Sequence, residues 1–276
     1  MSQSTGIAAA EIRASPAGSA AIQGDLWGAR ARDWAEINEP AWGPVFETAL
    51  RLTGAGPGKR LLDVGCGAGG ALRIAREQGA YVAGLDASPN LAAIARERLP
   101  DARIEIGDME DLPFADDSFD IVTGINSFQF AADVVRAFAE ARRVLRKDGT
   151  LLMLVWGRPE DCQLIHGTAR MVFALLPSHR PGAPVSRPWH EPGVIEGLMR
   201  DAGLEPKDAG EVAADLVFPD VDAAVRTVLS ASERAIRHAG EPVVTKVIRD
   251  SLPPFIQPDG TVVWRNRFRW VIAARR

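Results

Sequence analysis

Cysteine, tyrosine and histidine are scarce in this 276-residue chain, which holds two, one and four of them. Cys66 and Cys162 are too few for a disulfide framework or, unaided, for a structural zinc site, so we predict no metal centre. No apolar run approaches the roughly eighteen residues of a membrane-spanning helix, and the N-terminus lacks the basic start and apolar stretch of a signal peptide. We therefore predict a cytoplasmic protein without a membrane span.

Charge of one sign is not concentrated anywhere in the chain. The formal net charge is -4, and the densest basic groups, at 142–147 and 265–276, are short. Because neutralising a run of phosphates needs a large cluster of Lys and Arg, we predict no nucleic-acid partner. A composition of 46% hydrophobic and 25% charged residues is that of an ordinary globular protein. The length is sufficient for one large domain or for a domain with a subdomain.

Short apolar runs alternate with helical patterns through the first half of the chain. The predicted strands are 60–65, 81–88, 102–108, 119–126 and 150–157, and the predicted helices between them are 69–80, 89–99 and 131–149. Ser88 is the expected N-cap of the second helix, and Gly149 is the expected stop of the third. This alternation favours parallel strands joined by right-handed crossovers, which is a Rossmann-like doubly wound α/β sheet.

The segments on either side of this alternation differ from it in composition. Residues 1–24 are small and polar, and we predict that they are flexible. Residues 25–58 are predicted as an N-terminal helical lid, and 59–157 as the ligand-binding core. Residues 158–259 are predicted as a proline-rich cap followed by C-terminal helices and part of the sheet, and 260–276 as the final strand. Within the cap region, the patterns indicate helices at 191–204 and 220–252 and a strand at 215–218.

The stretch RLLDVGCGAGG, which includes the first predicted strand, permits two interpretations. Gly65, Gly67 and Gly70 have the G-x-G-x-x-G spacing of a dinucleotide-binding loop, and Asp86 follows at the expected distance. The same stretch also has Asp63 followed by alternating glycines, which suits a different adenosine-bearing cofactor. An NAD-dependent oxidoreductase is therefore one alternative for this chain.

Carboxylates at the ends of the predicted strands bear on the choice between these cofactors. A pyrophosphate needs a helix N-terminus with free amides, so Asp63 directly before the loop disfavours a dinucleotide and favours a cationic amine or sulfonium. Asp86 suits both cofactors, because one carboxylate accepts hydrogen bonds from both ribose hydroxyls. After the third strand, Asp108 is placed to accept from an exocyclic amine and Met109 to flank a purine.

Four motifs occur in order within residues 42–157: LLDVGCGAGG, GLDAS, GDMEDLPFADDSFDIV and VLRKDGTLLMLVWG. Together they resemble the successive motifs of class I S-adenosylmethionine-dependent methyltransferases. They are most similar to the small-molecule branch that includes the ubiquinone and menaquinone methyltransferases. The resemblance implies a seven-stranded sheet whose last strand is antiparallel. It also implies S-adenosyl-L-methionine as the cofactor and S-adenosyl-L-homocysteine as its product.

The resemblance assigns cofactor contacts to single residues. It places Gly65 and Gly67 against the methionyl part of the cofactor and Asp86 on the ribose, while Asp63 helps to hold the amino group. The complete predicted site comprises Trp34, Asp63, Gly65, Cys66, Gly67, Asp86, Ala87, Asp108, Met109, Glu110 and Asn126.

The purine and the lid are assigned in the same way. The resemblance places Asp108 on the adenine amine and Met109 beside the ring. In such enzymes the N-terminal helices usually close over the cofactor with an aromatic side chain, often a tyrosine. Tyr81 is the sole tyrosine and falls in a predicted strand, so we expect Trp27 or Trp34 to take this place.

Methyl transfer to a small acceptor requires that the acceptor is aligned with the methyl group and that water is excluded. Positioning alone lowers the activation barrier by about 7–11 kcal/mol in favourable cases. A base is needed only where the acceptor loses a proton, and His166 and His190 in the predicted cap are the candidates. The cap favours a small organic acceptor, methylated at oxygen, nitrogen or carbon, and the resemblance suggests a quinone-like or aromatic compound. A regulatory protein that binds the cofactor without chemistry is the second alternative.

Overall fold

The computed structural model describes residues 18–177 and 187–275. Residues 1–17 of the predicted flexible segment 1–24, and residues 178–186 of the predicted cap, lie outside the described residues. Seven strands lie within the described ranges: β1 Arg60–Val64, β2 Tyr81–Asp86, β3 Arg103–Ile106, β4 Phe119–Ile125, β5 Leu145–Trp156, β6 Leu204–Phe218 and β7 Val262–Arg275.

The strands form one sheet in the order β3-β2-β1-β4-β5-β7-β6. Strands β1 to β5 pair in parallel, and β7 lies antiparallel between β5 and β6. The predicted doubly wound sheet with an antiparallel last strand is therefore confirmed. Because β1 has β2 on one side and β4 on the other, the carboxyl ends of these three strands meet where the strand order reverses, the usual ligand position in such sheets.

Twelve α-helical segments lie among the described residues. They are α1 Ala20–Gly28, α2 Ala31–Asp33, α3 Glu39–Ala41, α4 Gly43–Thr53, α5 Gly70–Glu77, α6 Pro89–Arg98, α7 Val134–Val144, α8 Arg170–Phe173, α9 Val194–Asp201, α10 Val221–Ser230, α11 Glu233–Ala239 and α12 Glu241–Ser251. Two π-helical turns, Trp34–Asn38 and Leu164–Ala169, continue α2 and precede α8. Among the described helices, none is long and apolar enough to cross a membrane.

Alternate residues of the central strands are buried on both faces of the sheet. In β5, Leu151 and Met153 belong to the core beneath α7 and α9, whereas Leu152 and Leu154 belong to the core beneath α4, α10 and α12. The side chain of Trp264 in β7 is fully buried in the second core. Helices on both faces therefore fix the position of the strand ends at which the site is built.

Local sequence signals set some of the helix ends. The Ser88 hydroxyl accepts a hydrogen bond from the Leu91 N–H at 3.2 Å, which confirms the predicted N-cap of α6. The predicted stop of α7 at Gly149 is wrong, because this helix ends at Val144 and the chain enters β5 directly. Leu145 is fully buried and pairs with Phe119 of β4, so strand pairing takes the chain out of the helix before the glycine.

Two further boundaries differ from the prediction. Helix α1 begins at Ala20, so the predicted flexible segment does not extend to residue 24. Strand β6 spans Leu204–Phe218, far longer than the four residues predicted at 215–218. It lies at the edge of the sheet and pairs only with β7, so much of it stays exposed. An exposed edge strand lacks the apolar run that marks a buried one.

Candidate cofactor site

The loop between β1 and α5 requires its glycines. Gly65, Gly67 and Gly69 have φ angles of 79°, 57° and 85°, a left-handed conformation that side chains other than glycine disfavour. A Cβ atom on Gly65 would lie 2.4 Å from the Cβ of Ser127, which follows β4. The loop therefore turns sharply against the end of β4 and leaves its backbone beside the cavity described next.

A cavity lies beyond the carboxyl ends of β1, β2 and β4. Nine of the eleven predicted site residues line it: Trp34, Asp63, Gly65, Cys66, Gly67, Asp86, Ala87, Met109 and Asn126. Further walls come from Gln23, Trp27, Glu39, Trp42, Phe46, Leu91, Ile125, Ser127 and Phe130. The sequence prediction thus identified most of the strand-end residues but few of the lid residues.

Asp86 ends β2 and ties the glycine loop to the start of α6. Its Oδ2 accepts a hydrogen bond from the Gly67 N–H and its Oδ1 accepts one from the Ser88 N–H, both at 2.8 Å. Burial raises the pKa of this carboxyl, against the effect of the two amides. A carboxylate has about four acceptor positions, so two remain for a ligand diol.

Asp63 lies at the end of β1 and is 3% exposed. Its Oδ1 accepts a hydrogen bond from the Thr123 hydroxyl at 2.7 Å. Burial raises the pKa of Asp63 to about 7, and the nearby carboxyls of Asp86 and Glu39 add to the rise. Ionisation of this group is therefore costly on its own and becomes favourable beside a cation.

Glu39 is a cavity residue that the sequence prediction missed. Its Oε1 accepts from the Ala68 N–H and its Oε2 from Arg98, both at 2.7 Å. Burial raises the pKa of Glu39 to about 7, although the Arg98 charge opposes the rise. No motif surrounds this residue, since α3 carries it to the glycine loop only in the folded chain.

Asp108 and Glu110 are the two predicted site residues that do not line the cavity. Asp108 Oδ2 accepts from the N–H groups of Ser19 and Ala20, at 2.8 and 2.9 Å, so it caps the first turn of α1. Glu110 Oε1 accepts from the Ala132 N–H at 2.7 Å. Both side chains thus bind backbone N–H groups of other segments. Their predicted cofactor contacts stay predictions.

Aromatic rings from the N-terminal helices close one side of the cavity. Trp27 stacks edge-on against Trp34 and against Phe130, with ring centroids 5.1 and 5.3 Å apart. Gly24 and Gly28 let α1 approach the turn after β2, because a Cβ on either would lie within 2.4 Å of Ala87 or Ser88 atoms. Both candidate lid tryptophans therefore reach the cavity.

The remaining strand-end side chains are held by local contacts. Asn126 has a left-handed φ of 55°, and its Oδ1 accepts from Gln129 Nε2 at 2.5 Å. The Ser127 hydroxyl donates to the Val64 carbonyl at 2.5 Å. Burial raises the pKa of the Cys66 thiol well above its usual value, so Cys66 is a small apolar wall residue and not a thiolate.

The structure does not bring the two candidate histidines to the cavity. His166 is exposed on the π-helical turn Leu164–Ala169, and His190 is half-buried in a turn before α9. Neither belongs to the described residues that line the cavity. Their role as a base therefore stays a prediction.

The side chains present fit S-adenosylmethionine better than NAD. Three buried carboxyls, those of Glu39, Asp63 and Asp86, line the cavity and complement an ammonium or sulfonium group. The same carboxyls would repel a pyrophosphate. Apolar side chains such as Met109 and Leu91 provide a surface for a purine ring.

Comparison with known proteins agrees with this assignment. Residues 62–153 match a protein family described as a methyltransferase domain. An uncharacterised protein of Mycobacterium tuberculosis is 31% identical over 177 residues, which are 61% of this chain and 62% of the relative. A malonyl-[acyl-carrier protein] O-methyltransferase of Serratia marcescens is 39% identical over 108 residues, 39% of this chain and 42% of the relative. The matches thus span less than two thirds of these relatives.

A solved structure supports the fold over more of the chain. The YcgJ protein of Bacillus subtilis superposes with a TM-score of 0.55 at 21% identity, over 86% of this chain and 98% of that protein. The matched family covers β1 to β5, the part of the chain that carries the glycine loop and Asp86. Over residues 62–153, this chain is thus similar to a methyltransferase domain.

Proposed function

We propose that this protein transfers the methyl group of S-adenosylmethionine to a small organic acceptor. The observation that carries the proposal is the single cavity formed by the glycine loop, Asp86 and the tryptophan lid at the carboxyl ends of β1, β2 and β4. The cofactor supplies an activated methyl group on a sulfonium. The protein therefore needs to bind, align and exclude water, and a cavity closed on one side by the lid tryptophans contributes to this.

Each wall of the cavity has a part in this proposal. The free acceptor positions of Asp86 hold the ribose hydroxyls, and the backbone of Gly67 lies against the methionyl part. Asp63 accepts from the ammonium group, directly or through water. Met109 and a lid tryptophan, Trp34, cover the purine ring.

The charge and shape of the cavity support a neutral acceptor. Three buried carboxyls disfavour an anionic acceptor, because like charges at close range in a desolvated site are costly. The aromatic wall of Trp27, Trp34 and Phe130 favours a flat apolar molecule. We propose an aromatic or quinone-like acceptor.

Proton removal is required only for some of these acceptors. A hydroxyl, phenol or activated carbon acceptor must lose a proton to a base, whereas a tertiary amine acceptor has no proton to lose. His166 and His190 are the candidate bases from the sequence. Neither lines the cavity, which disfavours both in that role.

Isothermal titration calorimetry with S-adenosylmethionine, S-adenosylhomocysteine and NAD tests the proposal. We expect both sulfur nucleotides to bind and NAD not to bind. Asp86→Ala should weaken S-adenosylhomocysteine binding by about tenfold or more, because it removes a charged acceptor. Asp120→Ala is the matched control, since Asp120 also accepts from a backbone N–H, that of Arg60, but lies at the other end of the sheet.

The outcomes separate the alternatives. Binding of NAD alone would support an oxidoreductase and refute the proposal. Binding of the sulfur nucleotides without methyl transfer to any member of a panel of phenols, amines and quinols would support a cofactor-binding regulatory protein. An equal loss of affinity in the Asp86 and Asp120 variants would refute the role of Asp86.

A further inference from the structure

We propose that Glu39 and Arg98 form a latch that clamps the glycine loop to the N-terminal helices, which makes Glu39 a positioning residue for cofactor binding. The inference rests on the proposed function, because it assumes that the glycine loop holds the cofactor. It extends the site to a residue that belongs to none of the four sequence motifs.

The latch holds both backbone polar groups of one loop residue, Ala68. The N–H of Ala68 donates to Glu39 Oε1 at 2.7 Å. The carbonyl of Ala68 accepts from Arg98 Nη1 at 3.1 Å, and the same nitrogen donates to Glu39 Oε2 at 2.7 Å. Glu39, Arg98 and Ala68 therefore close a ring of hydrogen bonds that fixes the orientation of the loop backbone.

The latch also reaches the lid. Arg98 Nη2 donates to the carbonyl of Ala35, in the π-helical turn that carries Trp34, at 2.7 Å. A Cβ on Gly67 would lie 2.8 Å from Glu39 Oε1 and 3.1 Å from Trp34 Nε1, so both side chains touch the loop at its tightest point. Loop, lid and the end of α6 are thus joined by one pair of side chains.

Because this ion pair is largely buried, breaking it should cost more free energy than breaking a surface pair. The side chain of Glu39 is 5% exposed and that of Arg98 is 30% exposed. A buried carboxylate that loses its positively charged partner keeps an uncompensated charge, which is strongly destabilising. The paired arrangement of Glu39 and Arg98 is therefore favoured over arrangements in which the two side chains separate. Position matters as well, because the neighbouring Gly67 N–H donates to Asp86, the proposed ribose ligand. A loop freed at Ala68 would no longer hold that N–H, or its own backbone, in one place.

The chain offers a matched control for this pair. Arg32 and Glu97 also join the N-terminal helices to α6, at 3.1 Å, but both side chains are more than half exposed. Exposed pairs contribute little, so Glu97→Gln should change affinity for S-adenosylhomocysteine by less than about twofold.

The test combines calorimetry with hydrogen exchange on the full chain. We expect Glu39→Ala and Arg98→Met each to weaken S-adenosylhomocysteine binding by about tenfold, because each removes a charged hydrogen bond at a buried group. The double variant should bind no more weakly than the weaker single variant, since both changes open the same latch. In the absence of nucleotide, the amide hydrogens of the peptide that spans 65–70 should exchange faster in both single variants. In Glu97→Gln they should exchange at the wild-type rate.

Glu39→Gln serves if the alanine variant does not fold, since glutamine keeps its size and one acceptor for the Ala68 N–H but loses the charge and the acceptor for Arg98. Unchanged affinity and unchanged loop exchange in a folded Glu39 variant would overturn the proposal. Weak binding in Glu39→Ala with normal binding in Arg98→Met would also overturn it, because Glu39 would then act on the ligand without the latch. A wild-type protein that does not bind S-adenosylhomocysteine would refute the proposed function instead, while loop exchange would still test the latch.

Discussion

Replacing Asp63 by asparagine is expected to stabilise the nucleotide-free protein while weakening its binding of the cofactor. Asp63 is 3% exposed at the end of β1 and has Thr123 as its hydrogen-bond donor. Asparagine has nearly the same shape, and its carbonyl oxygen accepts from the same hydroxyl. The substitution therefore removes a buried ionisable group without opening a cavity. Proteins commonly hold such costly groups where function requires them.

The size of the effect follows from the pKa. Burial raises the pKa of Asp63 from 3.8 to about 7, so the folded state binds the proton more tightly than the unfolded state. The stability that this carboxyl contributes is fully present below pH 3.8 and is lost as the pH rises through 7. At about 1.4 kcal/mol per pH unit, the cost in the wild-type protein is about 2 kcal/mol at pH 5.5 and approaches 4 kcal/mol at pH 8.

Urea unfolding of Asp63→Asn and of the wild-type protein at pH 5.5 and pH 8 measures this cost. We expect the variant to be the more stable at both pH values, with the larger difference at pH 8. Asp101→Asn is the control, because Asp101 is exposed and its ion pair with Arg76 lies at the surface, worth at most about 1 kcal/mol. A destabilised Asp63→Asn variant, or a difference that does not grow with pH, would refute the reasoning.

Two further predictions concern the lid and the candidate bases. Asp108→Ala should destabilise the protein by about 1 kcal/mol and speed hydrogen exchange in α1, because Asp108 caps that helix; unchanged exchange would show that the cap is not formed in solution. Because neither His166 nor His190 lines the cavity, His166→Gln and His190→Gln should keep methyl-transfer turnover within about twofold. A loss of about a hundredfold in either variant, at unchanged S-adenosylhomocysteine affinity, would identify that histidine as the proton acceptor.

The sequence predicted the sheet because its central strands are buried on both faces and read as short apolar runs. Most of strand β6 was not predicted, for the opposite reason. It lies at the sheet edge, contains Pro206 and many exposed residues, and owes its length to pairing with β7, which follows it across three helices. Pairing over such a distance leaves no local pattern for sequence analysis to detect.

The site, like the sheet, was predictable where its residues follow a local sequence pattern. Asp63, Gly65, Gly67 and Asp86 lie on strand ends and in a turn, where spacing along the chain fixes position in space. Glu39 could not be found in this way, since its partner Ala68 lies 29 residues away and only packing of the lid brings them together. The contact of Asp108 with the start of α1 likewise depends on how distant segments dock.

A crystal structure of the protein with S-adenosylhomocysteine would test the central claim most directly. We expect the nucleotide in the cavity between the glycine loop and the tryptophan lid, with its ribose hydroxyls on Asp86 and its purine against Met109. The Glu39–Arg98 contact should remain closed around Ala68. A nucleotide bound elsewhere on the protein, or a ribose that does not contact Asp86, would contradict the assignment of this cavity as the cofactor site.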